Sequence, residues 1–270
     1  MRRAVTTKGF APMPKPGPDD WLASHPEKGQ SFVQFVESRP NIPGQPRSSI
    51  VIAALKGGER PSIVSAELLR DYASAFYATP AKVIETSALG DEKPLSRTNK
   101  HTKKLQLKTP DILAILAKRL PDDAFCVMAF TMIDLYPDDD WNYVFGQASL
   151  KERVGVFSFA RYESSFFGEA AKPGDDLLAK RRALGVMAHE IGHMFGLAHC
   201  VHYACAMNGS NNLSETDRAP LHLCPICLRK VWSSVKFDPV QRYGAIAKIY
   251  ADVGLETDKK WVDERIAELT

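Results

Sequence analysis

Residues 187–207 read "MAHEIGHMFGLAHCVHYACAM" and hold four of the chain's seven histidines and two of its five cysteines. His189 and His193 are four apart, so on a helix both imidazoles leave one face, a turn from each other. The surrounding segment "DDLLAKRRALGVMAHEIGHMFG" has acidic residues at its start and helical apolar spacing, which predicts one long helix over 175–196. Gly196 stands where that helix must stop, a position where glycine accepts positive φ at little cost. A sharp turn there brings His199 back toward the first two histidines. Any fold for this chain must therefore present a histidine-bearing helix end followed at once by a reversal.

Glu190 follows the first histidine. The pattern HExxH supplies two zinc ligands and a carboxylate able to hold and deprotonate a metal-bound water. Extended to HExxHxxGxxH, it offers His199 as a third ligand. Three neutral imidazoles leave the ion its double charge and a position for water, which suits catalysis better than scaffolding. The bland alternative is a histidine-rich helix end satisfied by ordinary hydrogen bonds, and three agreeing spacings argue against it.

Cys200 follows His199 directly, then comes Cys205, and "CPIC" adds Cys224 and Cys227. A four-residue gap and a two-residue gap separated by a loop match a closed four-thiolate zinc site. Read alone, "CPIC" also fits a thioredoxin-like redox pair; the upstream pair favours metal. Arg218, Arg229 and Lys230 lie near enough in sequence to offset the site's negative charge. Because Cys200 is bonded to His199, the closed site would staple the loop that carries the third histidine. Cys126 stands apart inside an apolar run and reads as a packed core thiol.

Eight of the eighteen prolines fall in residues 1–48, including "PMPKPGP", so this stretch reads as an irregular N-terminal arm laid over a domain spanning 49–270. Within that domain "SIVIAAL" (49–55) and "KVIETSAL" (82–89) read as strands. "SAELLRDYASAFYA" (65–78) reads as a helix capped by Ser65. The basic segment 91–108 lacks interleaved aromatics and reads as a solvated loop or hairpin. "TPDILAILAKRL" (109–120) opens like a helix with a Thr cap and Pro next. "AFCVMAFTMIDLYP" (124–137) suits a central buried strand. "WNYVFGQAS" and "VGVFSFARY" (154–162) pair as neighbours around "LKER". Helical segments around 238–252 and 258–269 complete the chain. A formal charge of +3 argues neither for nor against nucleic acid, since basic residues must cluster to form a footprint. The start has no apolar run after Arg2 and Arg3, and no segment approaches a membrane span, so a cytoplasmic protein with reduced cysteines is expected.

The order HExxHxxGxxH, an immediate Cys, then Cys205, Met207 and CxxC resembles the archaemetzincin family of zinc metallopeptidases. The similarity extends upstream through "DAFCVMAFTMIDLYPDDDWNYVFGQASLKERVGVFSFARY" and covers residues 95–235 or so, with no departure at the motif positions. The resemblance implies an α/β zincin domain: a twisted mixed β-sheet, an active-site helix, and a small C-terminal helical subdomain from about 197. It implies a catalytic zinc on His189, His193 and His199, and Glu190 as general base and later proton donor. Met207 would form a Met-turn beneath that zinc, and a second, structural zinc would lie on Cys200, Cys205, Cys224 and Cys227. A peptide or protein substrate is implied, with aminopeptidase-like and restricted cleavage, and no nucleic-acid or membrane partner. A monomer is expected. "VGVFSFARY" is expected to offer the sheet edge on which an extended peptide pairs. The rival readings are a zinc-stabilised binding module with a vestigial histidine site, and a thiol oxidoreductase built on "CPIC". Glu190 favours the enzyme, since a metal scaffold needs no carboxylate beside its first ligand.

Overall fold

The structure, a computed structural model, describes residues 1–55, 64–85 and 91–270. It divides into two compact units: a sheet unit of Pro43–Ser74 and Thr79–Met194, and a helical unit of Met1–Ile42, Ala75–Ala78 and Phe195–Thr270.

The strands of the sheet unit are β1 (Ser49–Ala54), β2 (Ala81–Ile84), β3 (Ser96–Thr98), β4 (Leu105–Lys108), β5 (Ala124–Thr131), β6 (Asp134–Tyr136), β7 (Gly146–Ser149) and β8 (Val154–Ser158). Five of them form a sheet in the order β2-β1-β5-β8-β7. All neighbours pair parallel except β7 on β8, which is antiparallel. The rest form a smaller sheet, β3-β4-β6. β5 is buried at all eight positions, the consequence of a parallel strand covered on both faces, and its "AFCVMAFT" has no polar alternation to spare. Val51, Val127 and Val156 of successive strands pack with Ile112 and Leu116 of helix Thr109–Lys118. Cys126 is fully buried in β5, and burial pushes its thiol well above the usual range.

Most sequence expectations hold here, with local exceptions. Ser65 caps helix Ala66–Tyr77 by accepting the Leu68 N–H at 3.1 Å. At the next helix the cap position falls to Lys108, and Thr109 is the first helical residue. The Thr109 hydroxyl is buried and engages Gln147 and the Tyr136 carbonyl instead, so it is unavailable for capping. The basic segment forms the β3–β4 hairpin, with Arg97 bonded to Gln106 and the carbonyls of Trp141 and Asn142. Of the strand read over 82–89, residues 86–89 lie outside the described residues. β8 is not the sheet edge: the hairpin around "LKER" folds β7 onto its outer side, and among the described residues β7 is the terminal strand.

Helix Asp175–Met194 packs against β5, β7 and β8. Asp175 and Asp176 in its first turn complement the positive helix end. Ala183, Leu184, Met187, Ala188 and Ile191 bury its inner face. This places residues 189–193 against the antiparallel end of the sheet.

In the helical unit, Pro225–Val235, Pro239–Val253 and Glu256–Leu269 are the main helices. The proline-rich segment contributes its residues 1–42 to this unit and its last residues, 43–48, to the sheet unit. Its helix Phe32–Glu37 starts with a Ser31/Gln34 capping box and packs on helix Pro225–Val235, burying Phe35. Nearer the start, Arg265 donates to the Ala4 carbonyl and Trp261 to that of Gly9. None of the described helices is long and apolar enough to cross a membrane.

Candidate active site and metal centres

Two groups of residues able to hold a metal ion occur among the described residues, one of histidines and one of cysteines. In the sheet unit, His189 and His193 meet edge to face, ring centroids 4.7 Å apart, with their Nε2 atoms at 3.0 Å. Two neutral imidazoles presenting ring nitrogens to one point are a ready half of a zinc shell. Glu190, one residue on, is only 7% exposed. Its side chain occupies space left free by Gly146 of β7, where an added Cβ would lie 2.7 Å from Oε1 and 2.9 Å from Cγ. Burial pushes the Glu190 carboxyl up to about 8. A dication beside it opposes that shift by favouring the charged form.

The helical unit begins immediately after the helix ends. Gly196 has φ +90°, as its place in the motif predicts, and a Cβ there would also meet Pro40 Cβ at 2.8 Å. Gln30 holds the turn from both sides: its amide donates to the Gly196 carbonyl and accepts from the Ala198 N–H, each at 3.2 Å. His199 follows, its Nδ1 2.8 Å from Glu27 Oε1 and its ring edge-on to Trp21.

The four cysteine sulfurs all lie within 4.8 Å of one another and are buried. Cys224 is the N-cap of helix Pro225–Val235, with Pro225 next and Cys227 in the first turn. "CPIC" is therefore a helix start, and its Sγ accepts the Cys227 N–H at 3.4 Å. The Cys224 N–H in turn donates to Cys205 Sγ at 3.2 Å. Such N–H donors and the helix N-terminus favour thiolate. Hydrogen bonds from Cys205, Cys224 and Cys227 draw the Cys200 thiol far down, whereas burial drives Cys205 up. Four adjacent buried sulfurs cannot all lose their protons without a cation among them, so this donor set fits zinc. Asn208 ties the loop, accepting the Cys205 N–H at 2.7 Å and donating to the Cys200 and Tyr203 carbonyls. Met207 is fully buried, and its carbonyl accepts the Cys200 N–H at 2.7 Å. The three cations read as charge partners of the sulfurs are engaged elsewhere: Arg218 with Asp20, Arg229 over Phe32, Lys230 with Gln30.

The spacing of the motif does not disclose Gly146, Glu27, Gln30 or Asn208. A glycine inside a strand signals close approach, which was the available cue for Gly146. Nothing local marks Glu27, since its partner is 172 residues away.

Residues 106–233 match the family model described as Peptidase family M54. The chain is 41% identical to archaemetzincin-2 of Macaca fascicularis, over 88% of its own length and 74% of that protein's. This chain belongs to the archaemetzincin family. The human archaemetzincin-2 is 40% identical over 92% of the chain and 76% of that protein. The crystal structure of archaemetzincin from Methanopyrus kandleri superposes with a TM-score of 0.53 at 25% identity, covering 72% of this chain and 99% of that one. As an archaemetzincin the protein is a zinc metallopeptidase, and its mixed α/β fold agrees with that likeness. The thiol-oxidoreductase reading falls with this membership.

Proposed function

We propose that His189, His193 and His199 hold a catalytic zinc and that Glu190 is the general base for peptide-bond hydrolysis. The observation that carries this reading is a buried carboxylate next to two imidazoles whose Nε2 atoms are 3.0 Å apart. Zinc held by these histidines would lower the pKa of a bound water and polarise the scissile carbonyl. Glu190 takes the proton of the attacking water on its carboxylate and returns it to the leaving amine. Its burial excludes competing water and keeps the carboxylate pointed along one direction. An extended substrate lies along the free side of β7, the terminal strand, where main-chain hydrogen bonds hold it straight.

Cys200, Cys205, Cys224 and Cys227 hold a second, structural zinc that anchors the loop from His199 to Met207, which forms the Met-turn. Aminopeptidase-like cleavage of a restricted set of peptides, a monomeric state and a cytoplasmic location follow from the resemblance and the composition, with no nucleic-acid or membrane partner. The domain reading is a metallopeptidase domain over 49–270 behind an arm of 1–48. The second reading, a zinc-stabilised binding module, keeps the cysteine site and leaves the histidines without turnover.

Zinc content per chain, measured on protein purified without added metal, separates the two. Two zincs falling to one in His193→Ala support separate catalytic and structural sites. One zinc, unchanged in that variant, favours the binding module.

A further inference from the structure

The N-terminal segment converges on His199. Glu27 Oε1 lies 2.8 Å from His199 Nδ1 and accepts the Trp21 indole N–H at 2.9 Å. An indole N–H only donates, so this oxygen is an acceptor, and the ring nitrogen facing it carries the proton. A neutral histidine protonated on Nδ1 keeps its lone pair on Nε2. Trp21 itself is fixed: its backbone N–H donates to both Glu215 oxygens at 3.0 Å, and its ring stacks on His25 at 3.9 Å. Gly209 leaves the space for that ring, since a Cβ there would stand 2.6 Å from Trp21 Cδ1. Nearby, Gln30 fixes the backbone on either side of Leu197 and is itself gripped by the buried Lys230 ammonium.

We propose that Glu27 is a positioning residue that selects the Nδ1–H tautomer of His199 and aims its Nε2 for metal binding. The N-terminal segment is thus the outer support of the third ligand. This rests on the reading of His199 as a zinc ligand. A carboxylate on the far nitrogen of a ligating histidine fixes ring orientation and strengthens the ligand, and its loss typically weakens metal binding by about 10–100-fold.

The test is zinc affinity by chelator competition on the full chain, with the cysteine-site zinc as internal reference. The variants are Glu27→Ala, Glu27→Gln and His199→Ala. Cobalt in the histidine site provides a d–d spectrum that reports ligand geometry. The expected result is a roughly 10–100-fold weaker histidine site in Glu27→Ala with an altered cobalt band, and a smaller loss in Glu27→Gln, which keeps the acceptor oxygen. The cysteine-site zinc and the circular dichroism of both variants stay as in wild type. Wild-type affinity and cobalt spectrum in Glu27→Ala, with His199→Ala impaired, overturn the role of Glu27 alone. Wild-type affinity in His199→Ala overturns the ligand assignment beneath it. Loss of both zincs together in Glu27→Gln, an isosteric change, marks a general structural role and also overturns the proposal.

Discussion

A Cβ on Gly146 would stand 2.7 Å from Oε1 of Glu190 and 3.0 Å from its Cδ, so the terminal strand of the sheet leaves room for the proposed base by having no side chain there. The carboxylate is confined between its own helix and that strand, and its direction is set by backbone rather than by a flexible neighbour.

Gly146→Ala is therefore expected to displace the Glu190 carboxylate while leaving the histidines in place. A misplacement of about 1 Å costs roughly 100-fold in rate, so kcat/KM should fall by at least that order with zinc content unchanged. Wild-type kinetics in this variant would show that Glu190 yields without consequence.

Glu190→Gln removes the base and leaves the ligands. Turnover is expected to drop by about 100- to 10,000-fold with both zincs retained. In zinc-free protein the same variant has a pH signature. The folded carboxyl titrates near 8 against 4.5 for the free side chain, so folding takes up a proton between those values. Stability of the zinc-free wild type falls as pH rises through that window, by at most about 1.4 kcal/mol per pH unit, and levels off above it. Glu190→Gln lacks this slope, so it should match wild type near pH 4.5 and exceed it at pH 8 in thermal melts. Parallel curves would mean the carboxylate is solvated.

Cys224→Ser tests the cysteine site separately from the helix cap. Serine is itself a good N-cap, so helix Pro225–Val235 keeps its start. What is lost is one of four metal ligands: zinc should fall by one per chain and the melting temperature by on the order of 10 °C. Two retained zincs would remove the four-cysteine assignment.

At Gly196, alanine meets both a φ of +90° and a 2.8 Å approach to Pro40. Backbone strain of this kind costs about 1–3 kcal/mol. Gly196→Ala is expected to lower stability by at least that amount in denaturant melts and to weaken the histidine-site zinc by moving His199. Unchanged zinc affinity would mean that the turn does not aim that ligand.

The residues proposed as metal ligands stood out in the sequence because their spacing is local. An i, i+4 histidine pair meets on any helix, and a glycine at the helix end permits reversal. That Cys224 and Pro225 also start helix Pro225–Val235 emerges only from the structure, since in the sequence "CPIC" stands out only for its sulfurs. The apolar run read over 124–137 likewise identified the central strand, although the strand ends at Thr131 and Asp134–Tyr136 pairs in the smaller sheet. Where local rules had competitors, tertiary contacts won. Thr109 gave up the cap to bridge Gln147 and Tyr136, and Arg218, Arg229 and Lys230 turned to the N-terminal segment rather than to the sulfurs.

By itself the sequence singled out the candidate metal-binding side chains and the helix and turn that carry the histidines, since those depend on spacings of a few residues. Only the tertiary structure decided that β7 rather than β8 is the terminal strand among the described residues, that Gly146 makes the space around Glu190, and that Glu27 faces His199. Those contacts join residues tens to hundreds of positions apart. Their formation depends on how sheet order and packing close long loops, a choice that no local periodicity encodes.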